Sequence, residues 1–328
     1  MIYSKDVFVL AETEISRRHI EALTVFEQRQ DEIERVAPEI AAVNRQLVNT
    51  SVELSKAIMN NNKNIKEAVE KIKDENLKSQ KVIRMLLKDF GYSEDYLDLH
   101  YTCTKCNDTG FVSGIRCECF NELLKKYSIK EINKNSNIKL EDFNNFNLDY
   151  YPNTIDSSTG ANPKLEMTAN LNFCRQYVNN FSTESLSLFF LGKTGLGKTF
   201  LSSAIAKELL QEGYNVAFDS LQNFLRAIEN EHFGRVLNTD TLQTLIDADL
   251  VIMDDLGSEF SSQFYASALY NIINTRLNKN LPTIISSNLS LNELQNKYDD
   301  RIISRITGAY TILNFIGKDI RYIKAMNK

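Results

Sequence analysis

The sequence lacks a long hydrophobic run. No stretch of apolar residues approaches the ~20 that a membrane-spanning helix needs. Residues 1–10 contain neither a basic segment nor a long apolar core, so they are not typical of a secretory signal. We therefore expect a cytoplasmic protein with no membrane partner.

An excess of basic residues is also absent. The chain has 38 Lys and Arg against 43 Asp and Glu, and its formal net charge is −5. Affinity for phosphate backbones comes from concentrated Lys and Arg, so this composition excludes bulk electrostatic binding of nucleic acid. A local basic stripe remains compatible with it. The hydrophobic fraction of 43% is that of a globular protein.

Proline and glycine are scarce at the start: the first hundred residues contain one proline, Pro38, and one glycine, Gly91. Apolar residues recur every seven positions at Phe26, Ile33, Ile40, Leu47 and Leu54. This spacing predicts long amphipathic helices in a hairpin or small bundle over residues 1–99. We expect breaks at Pro38, which removes a backbone donor, and at residues 60–64. Packing of the apolar faces against one another is the simplest interpretation.

The five cysteines do not indicate disulfides. Four lie within residues 103–119, and such clustering in a reducing compartment indicates metal binding. The predicted Zn²⁺ ligands are Cys103, Cys106, Cys117 and Cys119, with His100 as an alternative to one thiolate. Four thiolates complete a tetrahedral zinc site, so residues 100–121 are predicted as a structural zinc-binding segment.

The second half of the chain alternates short apolar runs with helical segments. Residues 122–163 are rich in Asn, Asp, Ser and Tyr and are predicted as a linker. Beyond it, apolar runs at 186–191, 216–218, 250–253, 283–287 and 310–315 predict strands separated by helices. Residues 164–328 are therefore expected to form a three-layer α/β domain with a mostly parallel sheet.

A phosphate-binding pattern follows the first of these strands. Residues 192–199 match G-x-x-x-x-G-K-[ST] in full. In this pattern glycines bring backbone N–H groups close to phosphate, lysine contacts the β- and γ-phosphates, and Ser or Thr binds Mg²⁺. The predicted nucleotide-binding residues are Gly192, Lys193, Thr194, Gly195, Leu196, Gly197, Lys198 and Thr199. A helix predicted from 198 to about 212 adds its N-terminal dipole.

Polar side chains end two later strands. Asp254 is placed to hold Mg²⁺ together with Thr199, and Asp255 is a candidate for polarising an attacking water. Solvated acids at a strand end are the simpler alternative. Asn288 could position the same water, although asparagine after a strand often only forms a turn.

Three arginines occur near the end. Arg301 and Arg305 are four residues apart on one helical face, and Arg321 follows. Arginine can stabilise charge on a transferred phosphoryl group by a factor of about 10³–10⁵, from the same subunit or a neighbour. Considered alone, each is more commonly a surface ion-pair residue.

The ordered set resembles a known family. The P-loop, the acid pair with Leu256-Gly257, Ser-Ser-Asn, Arg-Ile-Ile-Ser-Arg and Gly-Lys-Asp-Ile-Arg resemble the bacterial replicative helicase loaders of the DnaC/DnaI type. These are AAA+ ATPases, similar to IstB-type transposition helpers, and the resemblance covers roughly residues 140–328. It implies a Walker A pair at Lys198 and Thr199, a Walker B pair at Asp254 and Asp255, sensor 1 at Asn288, an arginine finger at Arg305 and sensor 2 at Arg321.

The resemblance also implies a function. The chain would hydrolyse ATP, bind the replicative hexameric helicase through its helical domain and help place it on single-stranded DNA at replication initiation. Its protomers would associate in a nucleotide-dependent homo-oligomer. Residues 220–245 would face the DNA, with Arg226 and Arg235 near Phe224 and Phe233 for backbone contact and base stacking. Helix core with surface charge is an equal alternative for these four residues. The zinc segment resembles the DnaI-like branch and favours a loader.

Other functions remain open from the sequence. An IstB-type ATPase assisting DNA transposition is the main alternative. A small-molecule kinase would need an acceptor pocket and an arginine-bearing lid, neither of which is visible. A nucleotide-gated adaptor would bind ATP without turnover. The second acid is aspartate where many AAA+ proteins have glutamate, which agrees with both loaders and transposition helpers.

Overall fold

The computed structural model describes residues 3–45, 65–134, 136, 138–157 and 159–326. The chain divides into two compact units, one of Met1–Ala11 with Asn121–Lys328 and one of Glu12–Phe120. A helical N-terminal region and a parallel sheet flanked by helices confirm the predicted fold class. Among the described residues, no helix has the length and apolar character that crossing a membrane requires.

The N-terminal helices are α1 (Lys5–Val36), α2 (38–45) and α3 (Ile65–Asp89). Ala37 separates the first two, which confirms the predicted break at Pro38. Ile33 and Ile40 of the seven-residue pattern are buried against Ile83 and Leu87. The predicted pattern positions 47 and 54, and the break at 60–64, lie outside the described residues.

A short hairpin of β1 (Phe111–Val112) and β2 (Ile115–Arg116) belongs to the unit of Glu12–Phe120. The remaining elements belong mainly to the unit that contains Asn121–Lys328, here called the sheet unit. Its helices are α4 (Glu118–Lys134), α5 (Pro163–Asn179), α6 (Lys198–Gln211), α7 (Leu221–His232), α8 (Thr241–Asp247), α9 (Gln263–Asn278), α10 (Leu291–Lys297), α11 (Asp300–Ala309) and α12 (Ile320–Met326). Its strands are β3 (Ser187–Leu191), β4 (Val216–Ser220), β5 (Leu250–Leu256), β6 (Thr283–Ser287) and β7 (Tyr310–Asn314).

These five strands form one parallel sheet in the order β4-β5-β6-β3-β7. Side chains alternate between its faces, so that Leu188 and Phe190 enter one core cluster and Phe189 the other. Helices cover both faces, as continuous apolar strands require. All five predicted strands are confirmed, and the carboxyl ends of β3, β5 and β6 lie side by side.

Much of the segment predicted as a linker, residues 122–163, is packed. It contains most of α4 and two 3-10 turns, Phe143–Asn145 and Leu148–Tyr150. Phe146 and Tyr151 are buried in the same core as Leu196 of the phosphate-binding loop. Asp142 and Asn147 cap these short turns. Residues that are typical of loops are therefore part of a folded segment here.

A fully buried arginine joins three elements of the sheet unit. Arg276 on α9 donates to the carbonyl oxygens of Leu245, Ile246, Ala248 and Pro282 and to Thr283 Oγ1. Three of these carbonyls lie at the end of α8, where the helix dipole favours a cation. Burial lowers the pKa of Arg276 to about 10.

Arg276→Met is therefore expected to destabilise the sheet unit by at least about 4 kcal/mol, because four buried carbonyl oxygens lose their donor at about 1 kcal/mol or more each. Urea unfolding followed by circular dichroism measures the change. Arg175→Met, at an exposed position of α5, is the matched control and should change stability by less than about 0.5 kcal/mol. Equal effects of the two substitutions would contradict the structural role of Arg276.

Candidate nucleotide and metal sites

The phosphate-binding loop joins β3 to α6 and depends on its glycines. Gly192, Gly195 and Gly197 have φ values of 156°, 76° and 92°. A Cβ at Gly192 would lie 2.2 Å from the Phe315 carbonyl oxygen, and one at Gly195 would lie 1.9 Å from Asp319 Oδ1. These positions admit only glycine. The loop therefore has the open backbone that a bound phosphate group needs.

Lys198 is buried at the start of α6, and its ammonium group has three oxygen partners. Its Nζ donates to the carbonyl oxygens of Gly192 at 2.5 Å and Lys193 at 2.8 Å, and to Asn288 Oδ1 at 2.6 Å. Burial lowers the pKa of Lys198 to about 8. The ammonium and the helix N-terminus together give the loop positive character suited to an anion.

The first acid of the pair contacts the loop threonine. Thr199 Oγ1 donates to Asp254 Oδ2 at 2.8 Å, and Ser286 Oγ donates to Asp254 Oδ1 at 2.5 Å. Burial raises the pKa of Asp254. A hydroxyl beside a carboxylate is a donor set that suits the hard cation Mg²⁺. Sequence reasoning missed Ser286, although it belongs to the Ser-Ser-Asn run that supplied Asn288.

The second acid is connected to Lys198 by the predicted asparagine. Asn288 Nδ2 donates to Asp255 Oδ1 while Asn288 Oδ1 accepts from Lys198. Asp255 has a φ of +63°, in the left-handed region that aspartate tolerates better than most residues with a side chain. Asn288 thus does more than form a turn, because it links the lysine at the start of α6 to the second acid on β5.

These side chains line one cleft of about 500 Å³, a volume within the usual range for small-molecule sites. Its lining includes Thr194, Gly195, Leu196, Gly197, Lys198, Thr199, Asp254, Asp255, Asn288 and Arg321. Gly192 and Lys193 line a neighbouring cavity. Arg321 enters from α12, which is tied to the loop by a hydrogen bond from Ile320 N–H to the Gly195 carbonyl oxygen.

Aromatic residues from the predicted linker also line the cleft. Phe146, Tyr150 and Tyr151 lie along it, and Tyr151 Oη donates to the Leu196 carbonyl oxygen at 2.9 Å. A flat aromatic wall beside a phosphate-binding loop suits a nucleotide base. Sequence reasoning missed this wall because the surrounding Asn and Asp residues are typical of a loop.

Arg305 does not line this cleft. Its guanidinium group lies 4.6 Å from the centre of the Tyr270 ring, and it donates to Asn274 Oδ1 at 2.8 Å and Tyr270 Oη at 2.9 Å. The neighbouring Arg301 is exposed. Arg305 is thus held on the surface of α9 in its own chain, and its action on an adjacent protomer stays a prediction.

The expected DNA-facing segment, residues 220–245, contains α7 and α8. Phe224 is only 2% exposed, so the expectation that it stacks on a base is wrong. It belongs to the apolar face of α7, which the spacing of Leu221, Phe224, Leu225 and Ile228 in the sequence already indicates. Phe233 is 60% exposed, and the Arg235 guanidinium lies 5.8 Å from its ring.

The four clustered cysteines lie close together in the unit of Glu12–Phe120. Their sulfur atoms all lie within 4.8 Å of one another, with 3.8 Å between Cys103 and Cys117 and 3.4 Å between Cys106 and Cys119. Tetrahedral zinc with Zn–S bonds of about 2.3 Å places its sulfurs about 3.8 Å apart, so the cluster fits the ion. His100 lies outside this group, with Nε2 3.0 Å from the Asp95 carbonyl oxygen.

A buried carboxylate shapes the cysteine loop. Asp108 is 1% exposed and accepts the backbone N–H groups of Thr102 at 2.7 Å and Cys103 at 2.8 Å. Asn107 and Asp108 both have a φ of +51°, which Asn and Asp tolerate better than most residues. Sequence reasoning missed Asp108 as a residue that orients a ligand.

Because the pKa of Lys198 is lowered, we expect the protein to take up protons when Mg·ATP binds. Its pKa falls from the usual 10.5 to about 8 in the folded chain, so folding stability should rise between these pH values as the unfolded state holds the extra proton. Phosphates favour the charged form. We expect more proton uptake at pH 8.5 than at pH 7, with affinity falling as pH rises above about 8. Calorimetry in two buffers of different ionisation enthalpy measures this uptake, and equal values at both pH values would contradict it.

Comparisons with known proteins agree with this geometry. Residues 161–314 match the family model described as IstB-like ATP binding protein. The chain is 27% identical to the replicative helicase loader DnaC of Escherichia coli strain K12 over 137 residues, which is 42% of this chain and 56% of that protein. It is 29% identical to the replicative helicase loader DnaI of Bacillus subtilis strain 168 over 127 residues, or 38% of this chain and 40% of that protein.

The chain therefore spans about half the length of the curated relatives it matches. Among solved structures, the DnaC helicase loader is 26% identical, with a TM-score of 0.44, and the match covers 53% of this chain and 98% of that one. Residues 161–314 thus match an IstB-like ATP-binding domain, and the chain is homologous to the DnaC and DnaI loaders over about 40% of its length.

Proposed function

We propose that this chain is an ATP-hydrolysing loader that binds the replicative DNA helicase and helps place it on single-stranded DNA. The observation that carries the hydrolytic part is the chain of contacts from Lys198 through Asn288 to Asp255, beside the Thr199–Asp254 contact. Homology to DnaC and DnaI supports the loader part.

Each cleft residue has a proposed task in hydrolysis. Lys198 and the loop N–H groups bind the phosphates, and Thr199 and Asp254 hold Mg²⁺, which neutralises charge on phosphate oxygens when bound. Asp255, oriented by Asn288, polarises the attacking water. Arg321 contacts the phosphates from the same chain, because it lines the cleft.

The helical region, residues 1–99, is proposed as the helicase-binding part and the segment 100–121 as its zinc-stabilised boundary. Apolar side chains on α3 and just after it support this assignment, because Val82 and Met85 on the helix are 38% and 60% exposed and Phe90, which follows it, is 41% exposed. Apolar residues presented on a helix suit a groove in a partner protein. Residues 164–328 are the proposed ATPase domain.

Light scattering on a mixture with the replicative helicase of the same organism tests the loader proposal, with and without ATP·Mg²⁺. A defined joint complex is expected, and Met85→Glu should abolish it. Leu165→Glu, at a 67% exposed apolar position of α5, is the matched control and should leave it intact. No complex under either condition, together with ATP hydrolysis stimulated by duplex DNA, would favour the transposition helper that the IstB-like match leaves as the alternative.

Mixed protomers test the proposed homo-oligomer and the action of Arg305 in trans. Arg305→Ala chains should keep ATP affinity but lose at least about tenfold in hydrolysis, because an arginine from a neighbour is missing. Asp254→Asn chains lack the Mg²⁺ carboxylate but keep Arg305. Mixing the two inactive variants is expected to restore part of the hydrolysis in a phosphate-release assay. No recovery, with both variants folded, would restrict Arg305 to its contacts with Tyr270 and Asn274.

A further inference from the structure

A buried carboxylate lies just beyond the acid pair. Glu259, in the loop between β5 and α9, is 5% exposed. It accepts the Gly257 N–H at 2.9 Å and the Tyr298 hydroxyl, and its Oε1 lies 3.6 Å from Lys297 Nζ. Burial, followed by the hydrogen bond to Glu259, raises the pKa of Tyr298, so its hydroxyl stays a donor.

Lys297 contacts the same residue, Gly257, at its carbonyl oxygen. Its Nζ donates to the Gly257 carbonyl oxygen and, at 3.1 Å, to the Glu259 carbonyl oxygen. The N–H and the C=O of Gly257 are therefore both held by charged side chains. Gly257 has a φ of +107°, and a Cβ there would lie 2.5 Å from Leu289. Another residue type at this position would therefore be strained.

Gly257 lies two residues from Asp255, whose φ is +63°. The Asp255 carbonyl oxygen accepts from Ser258 N–H at 3.2 Å and from Ser258 Oγ at 2.8 Å, which closes a turn over residues 255–258. Aspartate adopts a φ of +63° more readily than most residues but less readily than glycine, so its surroundings must help to hold it there. The contacts of Gly257 are such surroundings.

We propose that Glu259, clamped by Lys297 and Tyr298, is a positioning residue for ATP hydrolysis that keeps Asp255 in contact with Asn288. Glu259 does not line the nucleotide cleft, so it acts through the Gly257 peptide and not on the substrate. The inference rests on the proposed ATPase function and deepens it. Lys297 and Tyr298 end α10 directly before α11, so the clamp also ties the acid loop to the helix that bears Arg305.

Two substitutions at Glu259 test the clamp in the whole 328-residue chain. Glu259→Ala removes both acceptors and should lower kcat at least about tenfold, while Glu259→Gln keeps one acceptor and should have a smaller effect. The KM and the Kd for ATP should change less than about twofold, because the phosphate-binding contacts are untouched. Glu184→Gln, at an exposed site, is the control and should leave kcat unchanged.

Hydrogen exchange measured by mass spectrometry supplies a readout that does not need turnover. In Glu259→Ala, the Gly257 amide should exchange at least about tenfold faster, whereas the phosphate-binding loop should exchange as before. If the parent protein hydrolyses ATP and both Glu259 variants keep its kcat, the clamp is overturned but the ATPase proposal is not. A parallel rise of KM and of the Kd for ATP in the variants would also overturn the clamp. A parent protein that binds ATP without turnover would overturn the ATPase proposal, and unchanged exchange at Gly257 would then overturn the clamp independently.

Discussion

Replacing Lys198 with alanine is expected to lower the affinity for ATP about 100-fold and hydrolysis at least about 10³-fold. The ammonium group is the one positive side chain buried inside the described phosphate-binding loop, where a charge interacts more strongly than at the surface. Its loss removes charge-assisted hydrogen bonds to phosphate. It also leaves the Gly192 and Lys193 carbonyl oxygens and Asn288 without their donor.

Two assays separate the binding and hydrolytic effects of Lys198→Ala. Fluorescence anisotropy with a labelled ATP measures affinity, and phosphate release at saturating ATP measures turnover. Lys139→Ala, at a lysine whose side chain is 83% exposed, is the matched control and should bind and hydrolyse normally. Affinity within about threefold of the parent protein would contradict the cleft as the nucleotide site.

The phosphate loop and the strands were predictable because their signals are contiguous. Five short apolar runs gave the strands, and parallel pairing then places the residues after β3, β5 and β6 at one edge of the sheet. Lys198, Asp254 and Asn288 could thus be predicted to converge without knowledge of any contact. The direct bridge from Lys198 through Asn288 to Asp255 needs side-chain geometry and was not predicted.

Residues whose roles depend on distant partners were not predictable. Arg276 lies on an otherwise ordinary helix, and its task is set by carbonyl groups about 30 residues earlier in the chain. Glu259 resembles any acid after a strand until Lys297 and Tyr298 are brought against it. Phe224 shows the opposite error, because proximity to arginine in the sequence suggested exposure while helical periodicity indicated burial.

Cys106→Ser is expected to lower bound zinc from about one ion per chain to below about 0.1, because a structural site needs all four thiolates for its closed tetrahedron. Cys106 is 6% exposed, and its sulfur lies 3.4 Å from that of Cys119. Structural zinc contributes about 10–16 kcal/mol of binding free energy in small domains, and that energy is coupled to folding. Residues 100–121 should therefore lose their ordered fold in this variant.

Elemental analysis of the purified protein measures the zinc, and hydrogen exchange over residues 100–121 measures the loss of order. Cys174→Ala is the matched control, because Cys174 is a buried thiol in the core of the sheet unit and outside the cluster, and it should retain full zinc. A Cys106→Ser protein with parental zinc would exclude the four-thiolate site. Each cysteine thiol must lose its proton to bind zinc, so zinc should also dissociate as the pH is lowered. Residues 100–121 should refold when zinc is bound again.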